Sequence, residues 1–212
     1  MGYTAYVYML RYYVKKSYNE EPREVTTPSD EHMWVYGSEV NSDELLYLAD
    51  TYHIDDGVLK DVLDKHELPR VEYAKGVLYV FLRAPHATPS DGISSVPFLT
   101  VIKNSTLLTL SSRSYLTPDD LFQNVRFSMR SNKHVFLQIV SYVIKQYQEY
   151  IQQTGAYIHN TKKRLETHEV DTKDFLKFVT VESDLNEYTT DLTAIQTVLA
   201  RLRENKHQLF TD

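Results

Sequence analysis

Apolar residues recur at two different periods along this chain, and the change comes just past residue 130. From Tyr3 to Ser111 the apolar runs are short and rich in β-branched and aromatic residues, the pattern of strands. Strands are predicted at Tyr3–Tyr13, His32–Tyr36, Val71–Ala74, Val77–Arg83, Val96–Ile102 and Thr106–Ser111. Tyr73–Val77 and Lys103–Ser105 read as hairpin turns, because Gly76 and Asn104 tolerate positive φ. The polar stretch Lys15–Asp30, with Pro22 and Pro28, reads as a loop or a weak edge hairpin.

Short helices interrupt the strands. Asn41 with Glu44 makes a capping-box pattern ahead of Leu45, Leu48, Ala49 and Tyr52. Asp55 can cap a second helix carrying Val58, Leu59, Val62 and Leu63, which Pro69 must end. A third is predicted from Thr117, with Pro118 at its first position and Asp119 and Asp120 facing the helix dipole. Mixed short strands and helices argue for a layered α/β-type domain.

From Lys133 the period lengthens. Phe136, Val140, Val143, Tyr147 and Tyr150 recur at steps of four and three. After a polar break at Glu169–Asp174, Phe178, Val181, Leu185, Tyr188, Leu192, Ile195, Leu199 and Leu202 continue without a miss. That is a coiled-coil seam. Two helices of about 50 Å each, at 1.5 Å per residue, would form an antiparallel hairpin reaching beyond a compact domain.

Composition narrows the function. At 212 residues there is material for one good-sized core or two small ones. A net charge of −6 argues against binding a phosphate backbone and permits attraction of cations. The absence of cysteine excludes disulfides and thiolate metal sites. The N-terminus lacks the layout of a signal peptide. The best apolar runs, Val77–Leu82 and Val135–Ile144, fall short of the roughly 20 residues a membrane span needs.

Eight histidines form no HxH or HExxH spacing, and each reads as an ordinary surface residue. There is no glycine-rich phosphate loop and no GxSxG elbow, so no catalytic residue is assigned and an enzyme is unsupported. Carboxylates are the better lead, since magnesium keeps several waters and takes only one or two of them. Asp55, Asp56, Asp61 and Asp64 read first as a cap and a solvated face. Asp184, Glu187 and Asp191 share one face of the last helix, either as an exposed charged stripe or as a weak divalent site. Asp91, in the loop Ala84–Gly92, reads alone as a turn residue. The tyrosines crowding the first strand (Tyr3, Tyr6, Tyr8, Tyr12, Tyr13) could stack single-stranded nucleic acid, but the positive charge beside them is thin. Sheet packing is favoured.

The run Asp61-Val62-Leu63-Asp64, then Pro69-Arg70-Val71-Glu72, is followed by the strand Val77–Arg83, a polar loop, the strand Val96–Ile102 and the strand Thr106–Leu110. In order and spacing this resembles the cytoplasmic domain of CorA-type transporters of magnesium and other divalent cations. Trp34 before the first helix fits a tryptophan that family often carries, and the likeness runs along the whole chain.

The resemblance implies an α+β protein: an α/β/α layered domain with a mixed sheet over 1–130, followed by a long antiparallel two-helix coiled-coil hairpin over 131–212. It implies a regulatory, ion-sensing domain on the cytoplasmic face of the cell membrane, homopentameric in the complete transporter. The transported ion is expected to be Mg2+, with Co2+ and Ni2+ as further candidates. The family's stalk helix, two membrane helices and Gly-Met-Asn motif find no match before Asp212. The expectation is therefore a piece of a longer protein, touching the membrane only through a following segment, and by itself a monomer or weak oligomer. In the family, weakly held Mg2+ between subunits keeps the pore closed. One of its carboxylates maps here to Asp91, and another would lie past residue 212. A third, carried by some members on the first long helix, is replaced by Tyr142, Gln146 and Tyr147. The same domain of a zinc-transporting relative and a soluble coiled-coil adaptor are the alternatives. No nucleic-acid partner is expected.

Overall fold

The computed structural model describes residues 10–15, 22–27, 32–88, 92–123, 127–166 and 172–204. Among them seven strands form one sheet: β1 (Leu10–Val14), β2 (Arg23–Val25), β3 (Met33–Ser38), β4 (Arg70–Ala74), β5 (Val77–Thr88), β6 (Gly92–Lys103) and β7 (Thr106–Ser111). Their spatial order is β2-β1-β3-β7-β6-β5-β4. Only β3 and β7 run parallel; the other neighbours are antiparallel, so the sheet is mixed. The expected first half of the first strand, Tyr3 to Met9, lies outside the described residues. The weak edge hairpin is real: β2 pairs with β1 at the sheet's edge, Tyr12 opposite Val25.

Period-two alternation sends side chains to two separate cores. Trp34, Tyr36, Leu78, Val80, Leu82, Phe98 and Leu107 face one way, with Leu121, Phe136 and Tyr188. Met33, Val35, Tyr79, Phe81, Leu99 and Val101 face the other, with Leu45, Leu48 and Leu59. Helices α1 (Ser42–Tyr52) and α2 (Asp56–Lys60) therefore cover one face. Helices α3 (Pro118–Phe122), α4 (Asn132–Glu166) and α5 (Thr172–Arg203) cover the other. Trp34 is fully buried, and its Nε1 donates to Thr109 Oγ1 at 2.9 Å.

Local signals act as the sequence indicates. Asn41 accepts from the Asp43 and Glu44 amides, while Glu44 accepts from the Asn41 amide, a complete capping box. Thr117 and Asp120 make the same arrangement at α3. Lys75 and Gly76 both take positive φ in the β4–β5 turn, as does Asn104 between β6 and β7. The second helix is shorter than expected. It tightens into a 3₁₀ turn at Asp61–Leu63 and stops before Pro69, because Asp64 turns its carboxylate onto the His66 amide at 2.9 Å.

Strands β5 and β6 are longer than expected, and much of the predicted loop Ala84–Gly92 is ribbon. β4 pairs with β5 only as far as Phe81, and β7 with β6 only as far as Phe98. Beyond those points the two strands pair with each other alone, up to Thr88 opposite Gly92. Pro85 and Pro97 sit in that two-stranded part, where a missing N–H is tolerated.

The long helices differ from a plain coiled coil. Every second position of the predicted α5 seam is buried (Val181, Tyr188, Ile195, Leu202), but Phe178, Leu185, Leu192 and Leu199 are only half-buried. Burial passes instead to Asp191 and Val198, one position aside. A coiled-coil seam has a single neighbour. Here α5 meets α4 on one flank and β4, β5 and β6 on the other, so its buried stripe widens. The helices still pair in a constant antiparallel register. Tyr147 meets Tyr188 edge-on at 5.4 Å, and ten residues further out Tyr157 meets Phe178 at 6.2 Å.

Candidate functional site: the carboxylates of α5 and the two arginines of the sheet

The motif that carries the family resemblance folds into an ion-pair hub. Arg70, at the start of β4, lies over the Phe81 ring with its guanidinium carbon 3.9 Å from the centroid. It pairs with Asp61 at 2.6 Å, Glu72 at 2.5 Å, and Glu67. Asp55 caps α2 by accepting from the Gly57 and Val58 amides. Asp56 pairs with Lys60 at 2.8 Å, one turn away. This acidic group is thus occupied locally, residue by residue.

A second hub forms where the β5–β6 ribbon leaves the sheet. Arg83 Nη1 donates to the Lys65 and Glu67 carbonyls at 3.0 and 2.9 Å, so the connection between the 3₁₀ turn and β4 is held by both arginines. Its Nη2 donates to the Ser95 carbonyl at 2.8 Å and its Nε to Ser95 Oγ at 2.7 Å. Across from it, Asp191 Oδ1 lies 3.3 Å from Arg83 Nε. Tyr147 of α4 donates its hydroxyl to Asp191 Oδ2 at 2.9 Å and reaches the Arg83 carbonyl at 3.4 Å. The Ser95 amide and hydroxyl both donate to Glu187 Oε1 at 2.8 Å. The Ser95 amide, which no further strand can satisfy, is therefore satisfied by a side chain of α5.

The electrostatics are uneven. Arg83 and Asp191 are nearly closed to solvent, with side-chain exposures of 12% and 6%. Burial pushes the Asp191 carboxyl above the usual aspartate range; the bonds from Ser95 and Tyr147 and the charge of Arg83 oppose this, and the neighbouring Glu187 charge adds to it. Burial, reinforced by Asp191, also holds the Tyr147 phenol far above its ordinary value, so it stays a neutral donor.

Two of the three carboxylates predicted on α5, Glu187 and Asp191, are thus brought together, turned toward the sheet rather than lying on an exposed stripe. Asp184 is half-buried and has a partner of its own. Asp91 lies outside the described residues. A directly bound magnesium ion needs converging oxygens with free lone pairs. Among the described residues no three His, Asp or Glu side chains are so grouped; Glu187 Oε1 and Asp191 Oδ2 already accept, and Asp191 Oδ1 is paired with Arg83. As arranged, Glu187 and Asp191 fasten the helix to the sheet. The partners Arg83, Ser95 and Tyr147 have no local sequence signal beyond one: Arg83 is a lone charge closing the apolar run Val77–Leu82.

No curated protein matches this sequence. Among solved structures, the CorA magnesium transporter of Methanocaldococcus jannaschii superposes with a TM-score of 0.83 at 17% identity, covering 96% of this chain and 65% of that one. The soluble domain of the same transporter gives 0.76 at 21% identity, covering 92% and 78%. The ZntB cytoplasmic domain of Vibrio parahaemolyticus gives 0.74 at 12% identity, covering 94% and 80%. At such identities the likeness is one of fold, and the chain spans 65% of the length of the complete archaeal transporter. Among the described residues no helix is long and apolar enough to cross a membrane. The family model described as CorA-like Mg2+ transporter protein matches residues 29–212, and the chain accordingly belongs to that family.

Proposed function

We propose that this chain is the regulatory, ion-sensing part of a divalent-cation transporter, on the cytoplasmic face of the cell membrane and homopentameric in the complete protein. Magnesium is the first candidate ion, with Co2+ and Ni2+ behind it, and passage through the bilayer belongs to segments outside these 212 residues. The observation that carries the reading is family membership over 29–212 together with a fold that follows a magnesium transporter along 96% of this chain. The net charge of −6 supports it. Acidic protomers repel, and a divalent ion between them screens that repulsion; its loss shifts the population toward a looser assembly. Asp91 is the proposed contact, because magnesium that keeps its waters needs only one carboxylate from each partner.

Light scattering and thermal melting of this chain with and without millimolar Mg2+ test the reading. A larger assembly and a higher melting temperature with Mg2+ are expected, and Asp91→Asn should blunt both. Mass and melting temperature indifferent to Mg2+ would remove sensing from this part of the protein. A zinc-transporting relative is the second reading, favoured by the likeness to the ZntB cytoplasmic domain. Uptake of Mg2+ against Zn2+ by the complete protein in vesicles separates the two.

A further inference from the structure

We propose that the seat of α5 on the β5–β6 ribbon is a proton-dependent clamp, tightened when the buried Asp191 binds a proton and loosened when it ionises. The inference goes beyond ion sensing and does not rest on it, since no metal takes part.

The geometry is an imbalance of charge at a closed contact. From α5 come Glu187 and Asp191, with Tyr188 beside them, while Asp184, a turn earlier on the helix, has a partner of its own; from β5 comes Arg83, from β6 Ser95, and from α4 Tyr147. β4, also packed on α5, brings Arg70 and Glu72, which pair with each other. Arg83 is thus one guanidinium facing the carboxylates of α5, and four carbonyl and hydroxyl oxygens already share its N–H groups. Of the α5 carboxylates Asp191 is driven deepest, at 5% exposure. Tyr147 and Tyr188, whose phenols burial pushes upward, stay neutral throughout.

The sign follows from linkage. Lifted off the sheet, Asp191 would sit on an exposed helix face with an ordinary carboxyl. Seated, it is buried and its carboxyl is raised. The seated form therefore holds a proton more tightly, and seating gains as pH falls. That gain is fully present below the ordinary aspartate value and is lost as pH rises through the raised one. Arg83's bonds to three carbonyls and Glu187's bonds to Ser95 do not depend on this proton, so the clamp loosens without opening. Because α4 and α5 keep one register from Tyr147–Tyr188 out to Tyr157–Phe178, a loosened α5 alters the seat of the whole outer helix pair.

The Ser95 amide reports directly, since it donates to Glu187 across the contact. Amide hydrogen exchange of the 212-residue chain in chelator, corrected for the intrinsic rate, is compared at about pH 5 and about pH 8. Protection of Ser95 and of α5 around Tyr188–Ile195 should fall several-fold at the higher pH, by up to about tenfold for each unit between the seated and unseated carboxyl. Protection of Leu107–Leu110 in β7 should not change, and Asp191→Asn should abolish the dependence. Uniform protection in the wild type, a parallel change in β7, or an unaltered dependence in Asp191→Asn would each overturn the clamp. Should that variant not fold, a 13C titration of the wild-type Asp191 carboxyl decides. A midpoint above the ordinary aspartate range supports the proposal, and one at or below that range overturns it.

Discussion

Arg83 Nε and Asp191 Oδ1 stand 3.3 Å apart in a contact nearly closed to water, joining the sheet to the last helix. A buried ion pair adds little net stability over an apolar pair of the same shape, because both charges lose their hydration. Removing one partner is another matter: the survivor is left buried and uncompensated. Arg83→Met should therefore cost about 3 kcal/mol or more in urea unfolding. The double variant Arg83→Met/Asp191→Leu should recover a good part of that loss. A single variant within about 1 kcal/mol of wild type would show that the helix is seated by its apolar stripe alone.

Glu187 tests the same contact from its polar side. Its Oε1 accepts from both the amide and the hydroxyl of Ser95, at a point where β7 no longer pairs with β6. Glu187→Ala leaves that amide without a partner and should cost about 1–3 kcal/mol. Glu187→Gln keeps an accepting oxygen and gives up only the charge, so it should cost less than half as much. Equal losses in the two variants, read from urea midpoints at constant m, would mean that the side chain acts through packing instead.

How far the fold was legible follows from what each signal encodes. Capping at Asn41 and Thr117 and the turn at Lys75-Gly76 are local, set by a few adjacent residues, and they can be read directly. Periodicity tells which residues are buried but not against what. The α5 seam therefore looks like a coiled coil although its second neighbour is the sheet, and Asp191 and Val198 complete the stripe. The expected loop Ala84–Gly92 is largely ribbon, and Pro85 and Pro97 are tolerated in it because no third strand lies alongside there. The partners of Asp191 come from β5, β6 and α4 and leave no pattern in α5 itself. A shared helical face could be seen in the sequence; its occupation by Arg83 and Tyr147 could not.

Gly37 marks a place where packing, and not backbone freedom, demands glycine. A Cβ there would lie 2.6 Å from Val40 Cγ1 and 2.9 Å from Leu110 Cδ2, inside the core under α1. Gly37→Ala must push these side chains apart and should destabilise by about 1–3 kcal/mol. Gly76→Ala, with open space around it but φ of +79°, should be penalised through its backbone alone. Adding Val40→Ala to each separates the two causes in melting experiments. It should relieve the first loss and leave the second untouched.

The edge strand β2 offers a pH dependence of opposite sign to that of Asp191. β2 is three residues long and pairs only with β1, and its Glu24 takes two bonds from Arg11, Nη2 to Oε2 at 2.9 Å and Nε to Oε1 at 3.2 Å. The hydrogen bonds from Arg11 hold the Glu24 carboxyl below the ordinary glutamate value. A lowered carboxyl contributes stability above its unfolded value and loses it as pH falls through the folded one. The pair is half-exposed, so solvent screens it and the contribution stays at or below about 1 kcal/mol. Glu24→Gln should therefore lower stability slightly at neutral pH. The difference from wild type should vanish on acidification past the lowered Glu24 value and shrink in high salt. Exchange of the β2 amides should rise first, because β1 is their only support. A difference between the two proteins that persists into strong acid would show that Glu24 works through its side-chain shape and not its charge.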